Sequence, residues 1–258
     1  MGAAASPGAA ADGSLKPQRG SPTFERDVRR MFATIADRYE TFNHLATLGQ
    51  DLLWRPWALW ELERFVRGPV DRCLDVGCGT GELARRLAAA YPRARVVASD
   101  FTAAMVRHAR RRSGRSVAGC AVADIGRLPF ANGTFDVAAS AFVARNLADL
   151  SAAFRELGRV LRPGGTLLTL EVSEPSSELV RRLFHAHFDH VVPMLGRAFD
   201  REGPYTYLPE SLRHFPSSQR VLELLEGAGF ARCRAVPLSL GVVTVYLAAA
   251  DAASPPRA

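Results

Sequence analysis

The sequence predicts an α/β protein built on an open, doubly wound, mostly parallel sheet of seven strands with an antiparallel hairpin at its C-terminal end. Two observations predict this fold. Short, strongly apolar runs alternate with segments of helical spacing from residue 72 onward, and a glycine-rich turn follows the first of these runs. The chain has 258 residues, 48% of them hydrophobic and 23% charged, which is enough for one domain with a sizeable core.

Five apolar runs define the parallel part of the sheet, at residues 72–76, 95–99, 117–122, 135–143 and 166–172. Strands this apolar are buried on both faces, so helices are expected on each side of the sheet. Two further runs, 233–240 and 242–250, meet at Gly241 and predict the antiparallel hairpin.

Two long, mainly helical segments fall outside this alternation, residues 24–66 and 174–230. Both are expected near the carboxyl ends of the strands, where such folds bind ligands, so we predict that they cover the substrate. A single domain is expected over residues 23–250. The flanking tails, 1–22 and 251–258, are rich in Ala, Gly, Ser and Pro and are expected to be disordered.

Composition excludes several classes of protein. No apolar run approaches the roughly 18–20 residues that span a bilayer, and the start lacks the apolar core of a secretory signal, so the cytoplasm is expected. The single lysine, Lys16, lies in the tail, which excludes a Schiff-base or P-loop lysine. The four cysteines show no metal-ligand spacing, so no metal and no disulfide are expected. The arginines behind the net charge of +7 are scattered, so no nucleic-acid partner is expected.

The glycine-rich turn reads Asp75-Val-Gly77-Cys-Gly79-Thr80-Gly81-Glu82. Glycines there let the backbone turn sharply and let a ligand approach it closely. Glu82 stands where a dinucleotide fingerprint has a small residue, and its carboxylate would repel a pyrophosphate. A ligand without phosphates is therefore favoured.

Two further carboxylates follow the next two strands. Asp100 is placed to accept the hydroxyls of a ribose, and Asp124, beside the apolar Leu128, suits an adenine. Ribose, adenine and a positive centre without phosphate together indicate S-adenosylmethionine as the cofactor, with NAD as the alternative. Each Asp alone is also compatible with a cap or turn.

Motifs on both sides of the glycine loop resemble one family. They are Met31-Phe32, Ile35-Ala36, Arg38-Tyr39, Asn43, Leu48-Gly49, Trp54-Arg55, Leu128-Pro129-Phe130, Phe135-Asp136, Arg145-Asn146, Leu161-Arg162-Pro163-Gly164-Gly165 and the segment from Tyr205 to Pro216. Over residues 28–248 the chain resembles the class I methyltransferases, and specifically the C-methyltransferases of ubiquinone and menaquinone precursors. The resemblance implies a Rossmann-like fold and cofactor contacts from Thr80, Asp100, Asp124-Ile125 and Ala141.

The chain departs from this family at a few positions expected on the pocket side and away from the cofactor. Phe142-Val143-Ala144 stands where the family usually has Phe-Gly-Leu, and Leu240 and Tyr246 fall in a second altered segment. The primary hypothesis is C-methylation of a prenylated quinol, either demethylmenaquinol or a ubiquinol precursor. Two alternatives stay open: a methyltransferase for an aromatic or polyketide-like natural product, and a non-catalytic subunit that binds the methyl donor.

Methyl transfer to a ring carbon requires an ionised hydroxyl on that ring. Arg145 and Asn146 follow the fourth strand, and we assign Arg145 to stabilising the oxyanion. The alternative is a structural ion pair of Arg145 with Asp149 or Glu171. His187 is the candidate base, and the alternative for it is a partly buried side chain without a catalytic role.

The expected partner is a lipophilic quinol or another aromatic small molecule. Peripheral contact with a membrane and a homodimer both stay open. Trp54, Trp57 and Trp60 recur at three-residue spacing on a helix, where packing is the first interpretation and membrane contact the second.

Overall fold

The computed structural model describes residues 17–199 and 207–251. Three helices, α1 (Phe24–Ile35), α2 (Tyr39–Ala46) and α3 (Asp51–Phe65), precede the sheet. The alternating part follows as β1 (Arg72–Val76), α4 (Glu82–Ala90), β2 (Arg95–Asp100), α5 (Ala103–Ser113), β3 (Gly119–Val122), β4 (Phe135–Ala141), α6 (Leu150–Val160) and β5 (Leu161–Val172). Then come α7 (Glu178–Ala186), α8 (Val192–Phe199), α9 (Tyr207–Arg213), α10 (Ser218–Gly227), β6 (Phe230–Leu238) and β7 (Val243–Ala250).

The seven strands form one sheet in the order β3-β2-β1-β4-β5-β7-β6. Strands β1 to β5 are parallel, and β7 is antiparallel to both β5 and β6. The predicted doubly wound sheet with an antiparallel C-terminal hairpin is confirmed. The chain order reverses between β1 and β4, and a ligand crevice is expected at such a reversal.

Both faces of the sheet are covered by helices, as the apolar strands predict. One core joins the inner strands to α3, α4 and α5, and includes the fully buried Leu62 and Leu87. The other core, around Phe154 and Val221, lies under α6 and α10. Strand β7 lies between β5 and β6 and is buried along its whole length.

The helical segment after β5 is not one continuous helix. Residues 178–199 run as α7, a π-helical turn at His187–Val191 and α8.

The three tryptophans of α3 differ in exposure. Trp54 is buried as the packing interpretation requires, whereas Trp57 and Trp60 are about half exposed, at 52% and 46%. Among the described residues, no helix is both long and apolar enough to cross a membrane.

Residues 17–22 belong to the predicted N-terminal tail and are among the described residues. The Arg19 guanidinium donates hydrogen bonds to the carbonyl oxygens of Leu147 and His214, which fixes this segment against the domain. Residues 1–16 and 252–258 lie outside the described residues.

Candidate active site

A cavity of about 200 Å³ lies at the carboxyl ends of the central strands, at the predicted reversal of strand order. Its floor is the glycine loop after β1, and its sides come from the ends of β2 and β4. The N-terminal helices close the opposite wall with Phe32, Tyr39, Asn43 and His44. The cavity therefore joins the glycine loop to a partly apolar chamber.

The glycine loop adopts backbone conformations that favour glycine. Gly77, Gly79 and Gly81 have φ angles of +66°, +53° and +85°. A Cβ atom on Gly77 would lie 2.4 Å from Cγ2 of Val143, whereas one on Gly79 would have no neighbour within 4 Å. Gly79 therefore leaves open space in which a ligand can approach the backbone closely.

Asp75 is fully buried beneath this loop and lines the cavity. Burial raises the pKa of its carboxyl to about 7, and the nearby Ala84 N–H and Arg55 guanidinium offset only part of that rise. Among the described residues, no side chain hydrogen-bonds to either carboxylate oxygen. A positively charged ligand group beside Asp75 would satisfy it.

Asp100 ends β2, and its carboxylate is fixed by two backbone N–H groups. Oδ2 accepts a hydrogen bond from Gly79 N at 2.9 Å, and Oδ1 accepts one from Thr102 N at 2.8 Å. Burial raises the pKa of Asp100, and these two donors counteract the rise. Each oxygen keeps a second lone pair, so the fixed carboxylate is suited to accept two neighbouring ligand hydroxyls.

Asp124, Ile125 and Ala141 also line the cavity. Asp124 lies two residues beyond the end of β3, and its Oδ1 accepts a hydrogen bond from Gly126 N at 2.8 Å. Ala141 is the last residue of β4. The structure therefore brings the predicted cofactor residues to one cavity except Gly81, which packs against Ala109 and Ser113 of α5. The cavity fits S-adenosylmethionine, because it offers a buried carboxylate for a cation, a fixed carboxylate for a ribose and a glycine-lined floor.

If Asp100 holds ligand hydroxyls, Asp100→Asn should weaken S-adenosylmethionine binding by about 1–3 kcal/mol, because an amide cannot accept at both atoms. Titration calorimetry on the variant and the wild type measures this difference. Asp149→Asn is the matched control, because Asp149 lines the same cavity but accepts the N-cap hydrogen bond of α6. Equal affinity in the Asp100→Asn variant would contradict the assignment.

Two contacts attach the N-terminal helices to the glycine loop. The Thr80 hydroxyl donates to the Glu40 carboxylate on α2. Arg55 on α3 lies 3.3 Å from Glu82 Oε2, and Arg86 also pairs with Glu82. The negative charge of Glu82, which was expected to repel a pyrophosphate, is therefore balanced by two guanidinium groups. Through this hydrogen bond to Glu40, Thr80 connects the glycine loop to α2.

Arg145 lies behind the main cavity, where it lines two smaller cavities with Tyr207 and Ser211. Its guanidinium donates to Glu171, which is fully buried and also accepts from the backbone N–H groups of Arg145 and Val172. Burial by itself lowers the pKa of Arg145, but Glu171 raises it above its usual value. This geometry is the ion-pair alternative to the catalytic assignment of Arg145.

Asn146 lines both the main cavity and the smaller one beside it. Its side-chain amide donates to the Phe142 carbonyl oxygen at 3.2 Å. That hydrogen bond supports Phe142, which has a left-handed φ of +62° and lines the cavity. Backbone strain of this kind is found at functional sites, and the sequence gives no signal for it.

The assignment of His187 as a base in the pocket does not fit the structure. Its Nε2 lies 2.7 Å from the Ala46 carbonyl oxygen, and His187 is not among the residues that line the cavity. The π-helical turn directs the ring to the end of α2, so His187 connects two helices.

The departures from the family pattern do not lie together on the pocket side. Val143 packs directly on Gly77 of the cofactor loop, which contradicts the expectation for that position. Tyr246 is fully buried between strands, and its hydroxyl lies 3.0 Å from Ser218 Oγ, away from the cavity. Leu240 is 78% exposed.

One pair of residues in the cavity wall was missed at the sequence level. His44 lines the cavity, and its Nδ1 lies 2.6 Å from Oδ2 of the buried Asp51. The two residues are seven apart, on different helices, so helical periodicity does not connect them. A His next to the motif residue Asn43 was the available signal.

Comparison with known proteins gives the family. The profile of the ubiE/COQ5 methyltransferase family matches residues 21–250. A relative from Syntrophotalea carbinolica, named ubiquinone/menaquinone biosynthesis C-methyltransferase UbiE, is 39% identical over 225 residues, which cover 86% of this chain and 93% of the relative. A demethylmenaquinone methyltransferase from Deinococcus radiodurans is 37% identical, with 85% of this chain and 91% of the relative covered.

Solved structures agree on the fold. A SAM-dependent methyltransferase from Aquifex aeolicus superposes with a TM-score of 0.54 at 21% identity, covering 75% of this chain and 89% of the other. One from Thermotoga maritima gives a TM-score of 0.61 at 20% identity, covering 86% and 99%. With the glycine loop, the acidic residues near the ends of β1 and β2 and the matched profile in agreement, the chain belongs to the ubiE/COQ5 methyltransferase family.

Proposed function

We propose that the protein transfers the methyl group of S-adenosylmethionine to a ring carbon of a prenylated quinol, either demethylmenaquinol or a ubiquinol precursor. The observation that carries the proposal is the cavity itself, in which the glycine loop opens into a chamber walled by Phe32, Tyr39 and Phe142. The quinone-methylating names of the relatives support the quinol over a natural-product substrate.

The chain's own residues have two tasks in such a reaction. Gly79, Asp75 and Asp100 would hold the methyl donor, which supplies an electrophilic methyl group. The apolar wall would hold the ring against it and exclude water, so that the reacting atoms meet in a fixed geometry. The rings of Phe32 and Tyr39 pack edge to face with their centres 5.8 Å apart, so this part of the wall is aromatic.

The experiment is transfer of a radiolabelled methyl group to short-chain demethylmenaquinol, kept reduced with dithionite. We expect label in the extracted naphthoquinol, and none when the substrate is left oxidised, because only the quinol has a hydroxyl to ionise. A demethylated ubiquinol precursor in parallel distinguishes the two quinols. Binding of the cofactor without label in either quinol would overturn the proposal.

We further infer that the protein contacts the membrane surface, where such a lipophilic substrate is found. Five exposed apolar side chains on α3 and the turn before it form what we call the apolar face: Leu48, Leu52, Leu53, Trp57 and Trp60. The Arg64 guanidinium lies 4.6 Å from the centre of the Trp60 ring, and the chain carries a net charge of +7. Tryptophan beside arginine suits an anionic bilayer interface.

The variant Trp57→Ser/Trp60→Ser should bind anionic phospholipid vesicles at least about 10-fold more weakly, because two interfacial anchors are lost. Co-sedimentation with vesicles measures binding. Val122→Ser is the control, since Val122 is 57% exposed on the edge strand β3. The inference is wrong if the wild type does not bind vesicles but forms a dimer, and the double variant is a monomer. The apolar face would then be a protein interface.

A further inference from the structure

His44 and Asp51 form a hydrogen-bonded pair in the wall of the cavity, and the function derived above uses neither of them. We propose that His44 accepts the proton of the substrate hydroxyl and that Asp51 is the positioning residue that orients its ring. This inference rests on the proposed function, because it names the base that the quinol requires.

Asp51 is held firmly at the start of α3. It is 4% exposed, and its Oδ1 accepts a hydrogen bond from the Thr47 hydroxyl at 2.8 Å. Its Oδ2 lies 2.6 Å from His44 Nδ1 and 4.0 Å from Arg55 Nη1. A carboxylate on Nδ1 fixes the tautomer that carries hydrogen there, and Nε2 is then an acceptor. No described residue hydrogen-bonds to Nε2.

The position of His44 on α2 places it in the wall of the cavity. Glu40, one helical turn earlier on α2, binds Thr80 of the glycine loop. Residues four apart lie on the same face of a helix, so His44 belongs to the face of α2 that spans the cofactor loop. Both Glu40 and His44 line the cavity.

Several other titratable groups near the cavity are less suited to the task, and Asp75 lies beneath the glycine loop, where it would face the cation of the methyl donor. A guanidinium does not titrate, and that of Arg145 is committed to Glu171. Asp100 is fixed by two backbone donors, and Glu82 by Arg55 and Arg86. His187 is bound to the Ala46 carbonyl group.

The proposed step balances. The hydroxyl proton moves to His44 Nε2, and the resulting oxyanion makes the ring carbon nucleophilic. That carbon forms a bond to the donor methyl while the methyl–sulfur bond breaks, and its electron pair stays on sulfur. The methylated carbon then loses its hydrogen as a proton to water, and the ring oxygen takes a proton back from His44. One proton is released in total.

Several charged groups lie on the elements around His44. They are Glu40 on α2 itself, Asp51 and Arg55 on α3, Glu82 on α4 and Arg197 on α8, which packs against α2. If His44 is the base, turnover should fall at low pH, because a protonated imidazole cannot accept a proton. In a variant without His44 it should instead keep rising with hydroxide concentration.

The test compares His44→Gln and Asp51→Asn with His108→Gln. His108 is the matched control, because its Nε2 lies 3.0 Å from Asp37 in a second His–Asp pair that does not line the cavity. We expect His44→Gln to lower kcat at least about 100-fold with little change in KM, as for loss of a general base. Asp51→Asn should lower kcat about 10-fold and shift the pH profile, as for loss of a partner that orients a His ring, and His108→Gln should behave as the wild type.

A second measurement does not depend on turnover. With 4-methoxy-1-naphthol and S-adenosylhomocysteine bound, the wild type and His108→Gln should show naphtholate absorbance near neutral pH, and His44→Gln should not. If His44→Gln fails to fold, His44→Ala is assayed with added imidazole, which should restore turnover. A folded His44 variant with wild-type kcat and naphtholate signal overturns the inference, whereas a wild type that methylates no quinol overturns the proposed function.

Discussion

Arg145→Gln should lower the free energy of unfolding by about 3–5 kcal/mol, because it removes one partner of a buried ion pair. Arg145 is 6% exposed and Glu171 is fully buried, so the remaining carboxylate could not reach water. Chemical denaturation of the folded variant measures the loss. We expect turnover per folded molecule to stay close to that of the wild type.

Two further variants sharpen this test. Arg220→Gln removes a guanidinium from an exposed pair with Glu223 and should leave the free energy of unfolding nearly unchanged. Arg145→Gln/Glu171→Gln should recover part of the loss, because no unpaired charge remains buried. If Arg145→Gln instead keeps its stability and loses about 100-fold in turnover, Arg145 stabilises an oxyanion and its assignment as a catalytic residue holds.

Gly77→Ala is the second substitution with a large expected effect. The backbone at Gly77 has φ of +66°, which costs an L-residue about 1–2 kcal/mol. The new Cβ would also lie 2.4 Å from Val143 Cγ2, and such overpacking costs about 1–3 kcal/mol more. Thermal and chemical unfolding should show the combined loss, and cofactor affinity should fall because the loop must shift.

Gly68→Ala separates the two contributions. Gly68 has φ of +93°, but a Cβ there meets no atom within 4 Å, so only the backbone cost is expected. In the Gly77→Ala background, Val143→Ala should recover the packing part. Equal losses for Gly77→Ala and Gly68→Ala would show that Val143 yields freely and does not support the loop.

The alternation of apolar runs was sufficient to predict the sheet, its mostly parallel character and the C-terminal hairpin. Strand ends were less accurate, since β5 begins at Leu161, five residues before its apolar run. The Arg162-Pro163-Gly164-Gly165 stretch resembles a turn by composition, and pairing of Leu161 with Phe135 makes it part of a strand. Local composition carries no information about such a partner.

The parts of the site that could be predicted are those where a residue type at a given place in the fold has one common role. Gly77, Gly79, Asp75 and Asp100 follow from the strand–loop–helix pattern. The role of Arg145 depends on the distant Glu171, which the sequence offered only as one of two partners. The pairing of His44 with Asp51 depends on how α2 and α3 pack together, and the periodicity of apolar residues within each helix does not give that packing.

The position of β7 has a consequence for the order of folding. The last strand of the chain lies between β5 and β6, so neither neighbour is complete until residues 243–250 have entered the sheet. Until then the edge of β5 offers unpaired backbone groups flanked by apolar side chains, which is a template for pairing with another chain. Closure of this gap by β7 should be a late event in folding, and a substitution that weakens β7 should cause aggregation before it causes loss of the cofactor site.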